Sequence, residues 1–215
     1  MASEAHEDLD ERLIHRLMFF TDAVFAIVMT LLVLELKAPE AAAEATPATF
    51  HQLGPHIGAF AFSFAIAAIF WIAHMNTTRN LVRFDWPVAW ANLVFLLPVC
   101  LLPSATAWFG ADIAGAFAWG LYSAVLIAIS AANMLVVLVA YRDGGRLIAG
   151  GAPPRERAYR LVRAGSPGAA FAIGLLVMAA GFPIVAHYSW VIVLPIFWLA
   201  RRFLAPRPTP ASETA

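Results

Sequence analysis

The stretch FFTDAVFAIVMTLLVLEL, residues 19–36, has the length and apolarity of a membrane span, yet Asp22 interrupts it near its start. A charged side chain at the centre of a span costs roughly 2.5 kcal/mol or more, and less near an end, so it has a partner or a task. The rest of the chain must supply one or the other. Of the 215 residues, 61% are hydrophobic and 13% charged, and the mean hydropathy is +0.75. One soluble core of this size cannot hide so much apolar surface, and the bilayer must take the remainder. An all-α, polytopic membrane protein follows.

Six runs are long enough to cross a hydrocarbon core about 30 Å thick, for which about 20 helical residues are needed. They lie at 17–36, 54–75, 86–108, 112–141, 165–186 and 188–204, the last being the shortest. Together they predict one six-helix domain over residues 1–204 and a disordered tail over 205–215. The segments between them, including NTTRNLVRFD (76–85) and RDGGRLIAGGAPPRERAYRLVR (142–163), carry Pro, Gly and charge and read as loops or helix caps. The acidic start MASEAHEDLDER is unlike a signal peptide, so the first span is expected to remain in the mature protein.

Charge gives the direction. Among the 14 basic residues, Arg12 and Arg16 precede the first span, Arg79 and Arg83 follow the second, Arg142 to Arg163 follow the fourth, and Arg201, Arg202 and Arg207 follow the sixth. Only Lys37 falls on the other side. The positive-inside rule then places both termini in the cytoplasm. Trp71, Trp86, Trp90, Trp108, Tyr188, Trp190 and Trp198 fall near span ends, as aromatic belts require. The basic segment RERAYRLVR (155–163) reads as an orienting, interfacial segment, with a lipid-headgroup sensor or a partner-binding helix as the sharper alternatives. A formal net charge of zero indicates no nucleic-acid surface. The single cysteine, Cys100, can form no intrachain disulfide.

Depth suggests company for Asp22. His74, near the inner end of the second span, and Asn92, six residues into the third, arrive at about the same level, where Arg16 and Thr21 can join them. Two readings fit. Asp22 and His74 can both exchange protons, which would suit a proton or cation relay. Alternatively the layer is a hydrogen-bonded clamp that locks the first three helices together. No further acid continues a relay into the membrane: Glu35 stands thirteen residues on, roughly 20 Å along the axis and on another face. The clamp is the preferred reading. His51, His56 and His187 lack carboxylate or thiolate neighbours at coordinating spacing and read as interfacial histidines.

Along the first span Phe20, Ile27, Leu31 and Leu34 form one helical stripe flanked by Val24 and Thr30. Such a stripe suits lipid, a neighbouring helix or a pore, and periodicity alone does not choose among them. Arg16, then FTDAVFAIVMTLLVLEL, resembles the signature of the lysosomal potassium-channel family and its bacterial six-helix relatives, Arg-x-x-x-Phe-Ser-Asp at the start of the first helix. Arg16, Phe20 and Asp22 match, and Thr21 replaces serine while keeping the hydroxyl. Trp71 with His74, and NLVFLLPVCLLPSAT (92–106), extend the resemblance through the third span; the last three spans match only in number and hydrophobicity.

The resemblance implies a homotetramer in a bacterial inner membrane, with the first helix lining a potassium-permeable pore. Carried over by residue, it puts a hydrophobic constriction at Ile27, Leu31 and Leu34 and a selectivity threonine at Thr30. The helix-packing motif falls on Arg16, Phe20, Thr21 and Asp22, to which the depth argument adds His74 and Asn92. Potassium is then the only metal expected, as permeant ion, and no cofactor is called for.

The sequence has no Thr-Val-Gly-Tyr-Gly carbonyl filter, so selection has to arise from dehydration in a narrow aliphatic ring, helped by the Thr30 hydroxyl. It also lacks a second Phe-Thr-Asp segment, and a central pore must come from subunit association under closed symmetry. A secondary transporter or proton-coupled carrier using Asp22 and His74 is the competing reading. An enzyme would need paired carboxylates, a nucleotide-binding Gly-rich loop or a His-Glu-x-x-His motif, and the chain has none.

Overall fold

The computed structural model describes residues 2–36 and 47–204, all helical or in short connections apart from one isolated β-bridge. The expected tail at 205–215 and Lys37 lie outside the described residues. Helix α1 (Ala2–Leu31) passes into a short 3₁₀ turn (Leu32–Glu35). It is followed by α2 (Pro47–Thr78), α3 (Trp86–Cys100), α4 (Leu102–Ala111), α5 (Ala116–Ala140) and α6 (Pro154–Ala179). Then come α7 (Pro183–His187), a 3₁₀ turn (Ser189–Ile192) and α8 (Val193–Leu204). Among the described residues, five helical segments are long and apolar enough to cross a membrane: 7–35, 53–78, 86–111, 116–140 and 154–179.

Several boundaries differ from the sequence expectation, each for a local reason. The first helix begins at Ala2 and not at residue 17. Its polar start includes acidic residues, which suit a helix N-terminus, and Glu11 Oε1 stands 4.0 Å from His15 Nε2 at i,i+4. The third span breaks at Leu101, because Pro103 has no N–H to offer the Val99 carbonyl. Helix α6, the fifth span, starts at Pro154, so RERAYRLVR forms its first turns and is no loop. That helix ends at Ala179, seven residues before the expected 186. Gly181, at φ +90°, takes the left-handed conformation that glycine favours. It donates to Met178 at 3.0 Å and Phe182 donates to Val177 at 3.1 Å, the paired bonds of a Schellman stop.

The sixth run is divided between a 3₁₀ turn and the 12-residue α8, so no single helix there is long enough to span. His187 Nε2 lies 2.7 Å from the Ile113 carbonyl in the α4–α5 connection. Arg155, at the start of α6, donates to the Phe203 carbonyl at 2.6 Å. Residues 188–204 therefore join opposite ends of the bundle.

One large apolar cluster fills the middle of the bundle, with Phe25, Phe70, Phe95, Phe109, Trp119, Tyr122 and Phe171 among its members. Helix α6 lies along α5, where Gly168 N–H donates to Ser130 Oγ at 2.9 Å. A methyl group on Gly168 would stand 2.7 Å from Ser130 Cβ, so glycine permits this approach. A second cluster gathers Leu81, Val88, Val137, Tyr141, Leu147 and Ile148, with Ile14 of α1 packed against it.

The arginine-rich segments meet at that second cluster. Leu81 and Ile148 form an antiparallel bridge, and Val82 N–H donates to Leu147 at 2.9 Å. Asp85 accepts from both Arg142 and Arg146. The α2–α3 and α5–α6 connections, the start of α1 and the end of α8 thus share one end of the bundle. The alternation of basic residues in the sequence becomes a sidedness of the folded chain.

Candidate functional site

Helix α1 has two unlike faces. Thr21, Phe25, Val28 and Leu32 recur at helical spacing and are buried against the rest of the chain. Phe25 meets Phe95 with ring centroids 5.8 Å apart. On the other side Ile27 is 57% exposed, Leu31 40% and Leu34 67%, and Phe20 and Thr30 are exposed with them. Nothing among the described residues covers this apolar row.

The row climbs in nearly even steps because the helix changes pitch. From Ile27 to Leu31 the spacing is four residues of α-helix, about 6 Å of rise. From Leu31 to Leu34 it is three residues entering the 3₁₀ turn, where i and i+3 eclipse and three residues also rise about 6 Å. The three side chains are therefore stacked at nearly even intervals. Beside them, Thr30 Oγ1 donates to the Ile27 carbonyl at 2.8 Å. With its proton engaged, the hydroxyl has lone pairs left to turn toward water or a cation.

At the lower end of α1, Asp22 and Thr21 point to different partners. Trp71 of α2 donates its indole N–H to Asp22 Oδ1 at 2.8 Å. Asn92 of α3 donates to Thr21 Oγ1 at 2.8 Å, and that hydroxyl donates to the Leu17 carbonyl at 2.9 Å. His74 lies buried with its ring stacked on Phe95, centroids 4.8 Å apart and planes within 3°. Among the described residues His74 Nε2 and Asn92 Oδ1 have no hydrogen-bond partner, and no hydrogen bond joins Asp22 to His74. Arg16 is exposed and makes no ion pair among the described residues.

By depth alone Asp22 groups with His74 and Asn92, and Trp71 reads as part of an aromatic belt. In the fold Trp71 is the direct partner of Asp22, and Asn92 binds the neighbouring Thr21. The signal was present: Trp71 and His74 stand at i and i+3, one helical face, so one that reaches α1 brings the other near it. Among the described residues no three His, Cys, Asp or Glu side chains gather as a metal site. His187 places Nδ1 2.6 Å from the Pro183 carbonyl and Nε2 2.7 Å from that of Ile113, which makes it a tie between connections.

The family model of the endosomal/lysosomal potassium channel TMEM175 matches residues 16–103, which hold the second half of α1, the Trp71–Asp22 and Asn92–Thr21 pairs and most of the broken third span. A potassium channel of Streptomyces collinus is 31% identical over 176 residues, covering 78% of this chain and 84% of its own length. A potassium channel of a Chryseobacterium species is 37% identical over 95 residues. That match covers 44% of this chain and about half of the relative, 48% of its length. In fold, the chain is similar to the crystal structure of a lysosomal potassium-selective channel TMEM175 homologue from Chamaesiphon minutus, with a TM-score of 0.69 at 23% identity, covering 89% of this chain and 96% of that one. The resemblance seen in the Arg16–Asp22 signature is borne out at the level of the family.

Proposed function

This chain belongs to the TMEM175 potassium-channel family, and from that premise we propose that four copies assemble around α1 into a potassium-permeable pore. The observation that carries the reading is the uncovered row Ile27, Leu31 and Leu34 on the face of α1 turned away from its own subunit. One α1 face holds the helix to its subunit, and the other is free to meet its symmetry mates. Closed fourfold symmetry turns one row per subunit into three successive aliphatic rings.

In such rings an ion loses hydration with little in return. The larger potassium ion surrenders water at lower cost than sodium, and four Thr30 oxygens beside the rings restore some coordination. The result is a modest preference for potassium and a path that can close by dewetting. Conduction of this kind makes and breaks no covalent bond, and the chain is not an enzyme.

The same proposal takes residues 188–204 as a sixth, broken crossing. Four 3₁₀ residues and 12 α-helical ones rise about 26 Å together, close to the hydrocarbon thickness. Six crossings return the chain to the arginine-rich end, which the positive-inside rule assigns to the cytoplasm of a bacterial inner membrane. Asp22, Thr21, Trp71, Asn92 and His74 then serve as the clamp that sets the tilt of the pore helix. The test is potassium flux by the purified protein in liposomes under a potassium gradient, with sodium and proton controls. A flux that requires a counter-ion and saturates at modest concentration would instead make it a carrier.

A further inference from the structure

Between the arginine-rich ends of α2, α5 and α6 lies a polar cavity of about 260 Å³, lined by Asn76, Arg79, Asn133, Tyr159, Arg160 and Arg163, among others. It is somewhat smaller than the roughly 300 Å³ at which drug-sized pockets begin. Arg160 is fully engaged, donating to Glu156 at 2.9 and 2.7 Å and to the Asn76 carbonyl at 2.7 Å. Arg79 and Arg163 have no carboxylate within 4.0 Å among the described residues. Arg163 is nonetheless held in place, its guanidinium 5.7 Å from the Tyr159 ring centre and 5.6 Å from that of Phe197. Asn133 is 1% exposed, and its Oδ1 has no partner among the described residues. Its carboxamide can present either oxygen or NH2 to a guest.

A cavity with two guanidinium groups that have no carboxylate within 4.0 Å among the described residues, a phenol, and a buried amide that can turn its NH2 inward fits a small oxyanion. Guanidinium groups match phosphate oxygens in planar, paired geometry. We propose that this cavity is a phosphate-binding site, in which Arg79 and Arg163 hold the phosphate and Tyr159 and Asn133 complete its hydrogen bonds. The phosphate belongs either to an anionic lipid headgroup or to a soluble phosphate compound, since the cavity lies where the bundle leaves the membrane. The proposal draws on the reading above only for the leaflet concerned, and the binding itself needs no conduction.

Native mass spectrometry of the full-length protein in detergent tests it, with phosphatidylglycerol, phosphatidylcholine and inorganic phosphate as probes. The wild type should retain phosphatidylglycerol over phosphatidylcholine, and Arg79→Gln/Arg163→Gln should lower that retention about tenfold, the scale of one charge-assisted hydrogen bond. Arg201→Gln/Arg202→Gln, which removes the same charge elsewhere, should leave it unchanged. Displacement of the lipid by millimolar inorganic phosphate identifies a soluble ligand, and resistance to it identifies the headgroup. If the Arg79/Arg163 variant does not assemble, Arg163→Lys carries the test: it keeps the charge without the planar fork and must lower binding several-fold. Unchanged binding in the Arg79/Arg163 variants, or equal loss in the Arg201/Arg202 pair, overturns the site. Because no flux is measured, a failed site is distinguishable from a failed channel.

Discussion

Trp71 donates its indole N–H to Asp22 Oδ1 at 2.8 Å, so the carboxylate that interrupts the first apolar run is held by the second helix. One residue earlier, Thr21 receives Asn92 from the third helix at 2.8 Å. Adjacent positions on α1 thus fasten it to two different neighbours, and the rotation of α1 is fixed with them. Turning α1 enough to bury Ile27 would break both bonds.

Removing this clamp is expected to loosen assembly before it touches permeation. Trp71→Phe and Asp22→Asn should each destabilise the proposed tetramer, and the double variant should lose less than the sum, with a coupling of about 1 kcal/mol. Thermal unfolding in detergent and native mass spectrometry read both quantities. An Asp22→Asn protein that assembles normally yet loses a proton-coupled flux would establish the relay in place of the clamp.

If the proposed aliphatic ring is the gate, wetting it should open it. Ile27→Asn places an amide on the uncovered face, and cation flux in liposomes should rise while the preference for potassium over sodium falls. The control must be a buried position of the same helix. Val33, by sequence spacing the natural choice on the far side, is 49% exposed and is therefore no buried control. Val28 is buried in the core, and Val28→Asn should cost about 1–3 kcal/mol of stability without raising flux. Equal flux changes from the two variants would take α1 out of the permeation path.

Sidedness can be read by labelling. In a Cys100→Ala background, Glu44→Cys should react with an impermeant thiol reagent from outside, and Ala149→Cys only after permeabilisation. Ala149 is exposed in the α5–α6 connection, and it is preferable to Gly150, whose φ of +74° strains any side chain. The reverse pattern would invert the assigned orientation.

The α5–α6 contact depends on a missing methyl group. Gly168→Ala would bring Cβ within 2.7 Å of Ser130 Cβ and should destabilise the fold by about 1–3 kcal/mol, as overpacking does. Thermal unfolding should show Ser130→Ala failing to restore the loss, since it keeps the Cβ at the clash and removes the acceptor of the Gly168 N–H. A neutral Gly168→Ala would mean that the two helices separate more readily than this packing implies.

Much of this was legible in the chain itself. Five of the six apolar runs correspond to helices long enough to span. The Arg-x-x-x-Phe-Thr-Asp signature lies inside the matched segment 16–103. The stop at Gly181-Phe182-Pro183 was also there to be read, as glycine and proline in the order that ends helices, but apolarity continuing to residue 186 masked it. The break at Leu101 had its signal in Pro98 and Pro103. The identity of Asp22's partner was less accessible, since depth placed three candidates at one level and only side-chain reach selects among them.

The sequence by itself determined the solvent, the alternation of basic connections and the position of the anomaly in the first span, because hydropathy and charge accumulate along a chain whatever its neighbours are. Only the tertiary structure decided that Asp22 takes Trp71, that Thr21 takes Asn92, and that Ile27, Leu31 and Leu34 face away from their own subunit. Those choices depend on how each helix is rotated about its axis. In a membrane that rotation is hidden from periodicity, because lipid and neighbouring helices are equally apolar and a stripe of leucines suits either. Close packing and a few directional hydrogen bonds settle it.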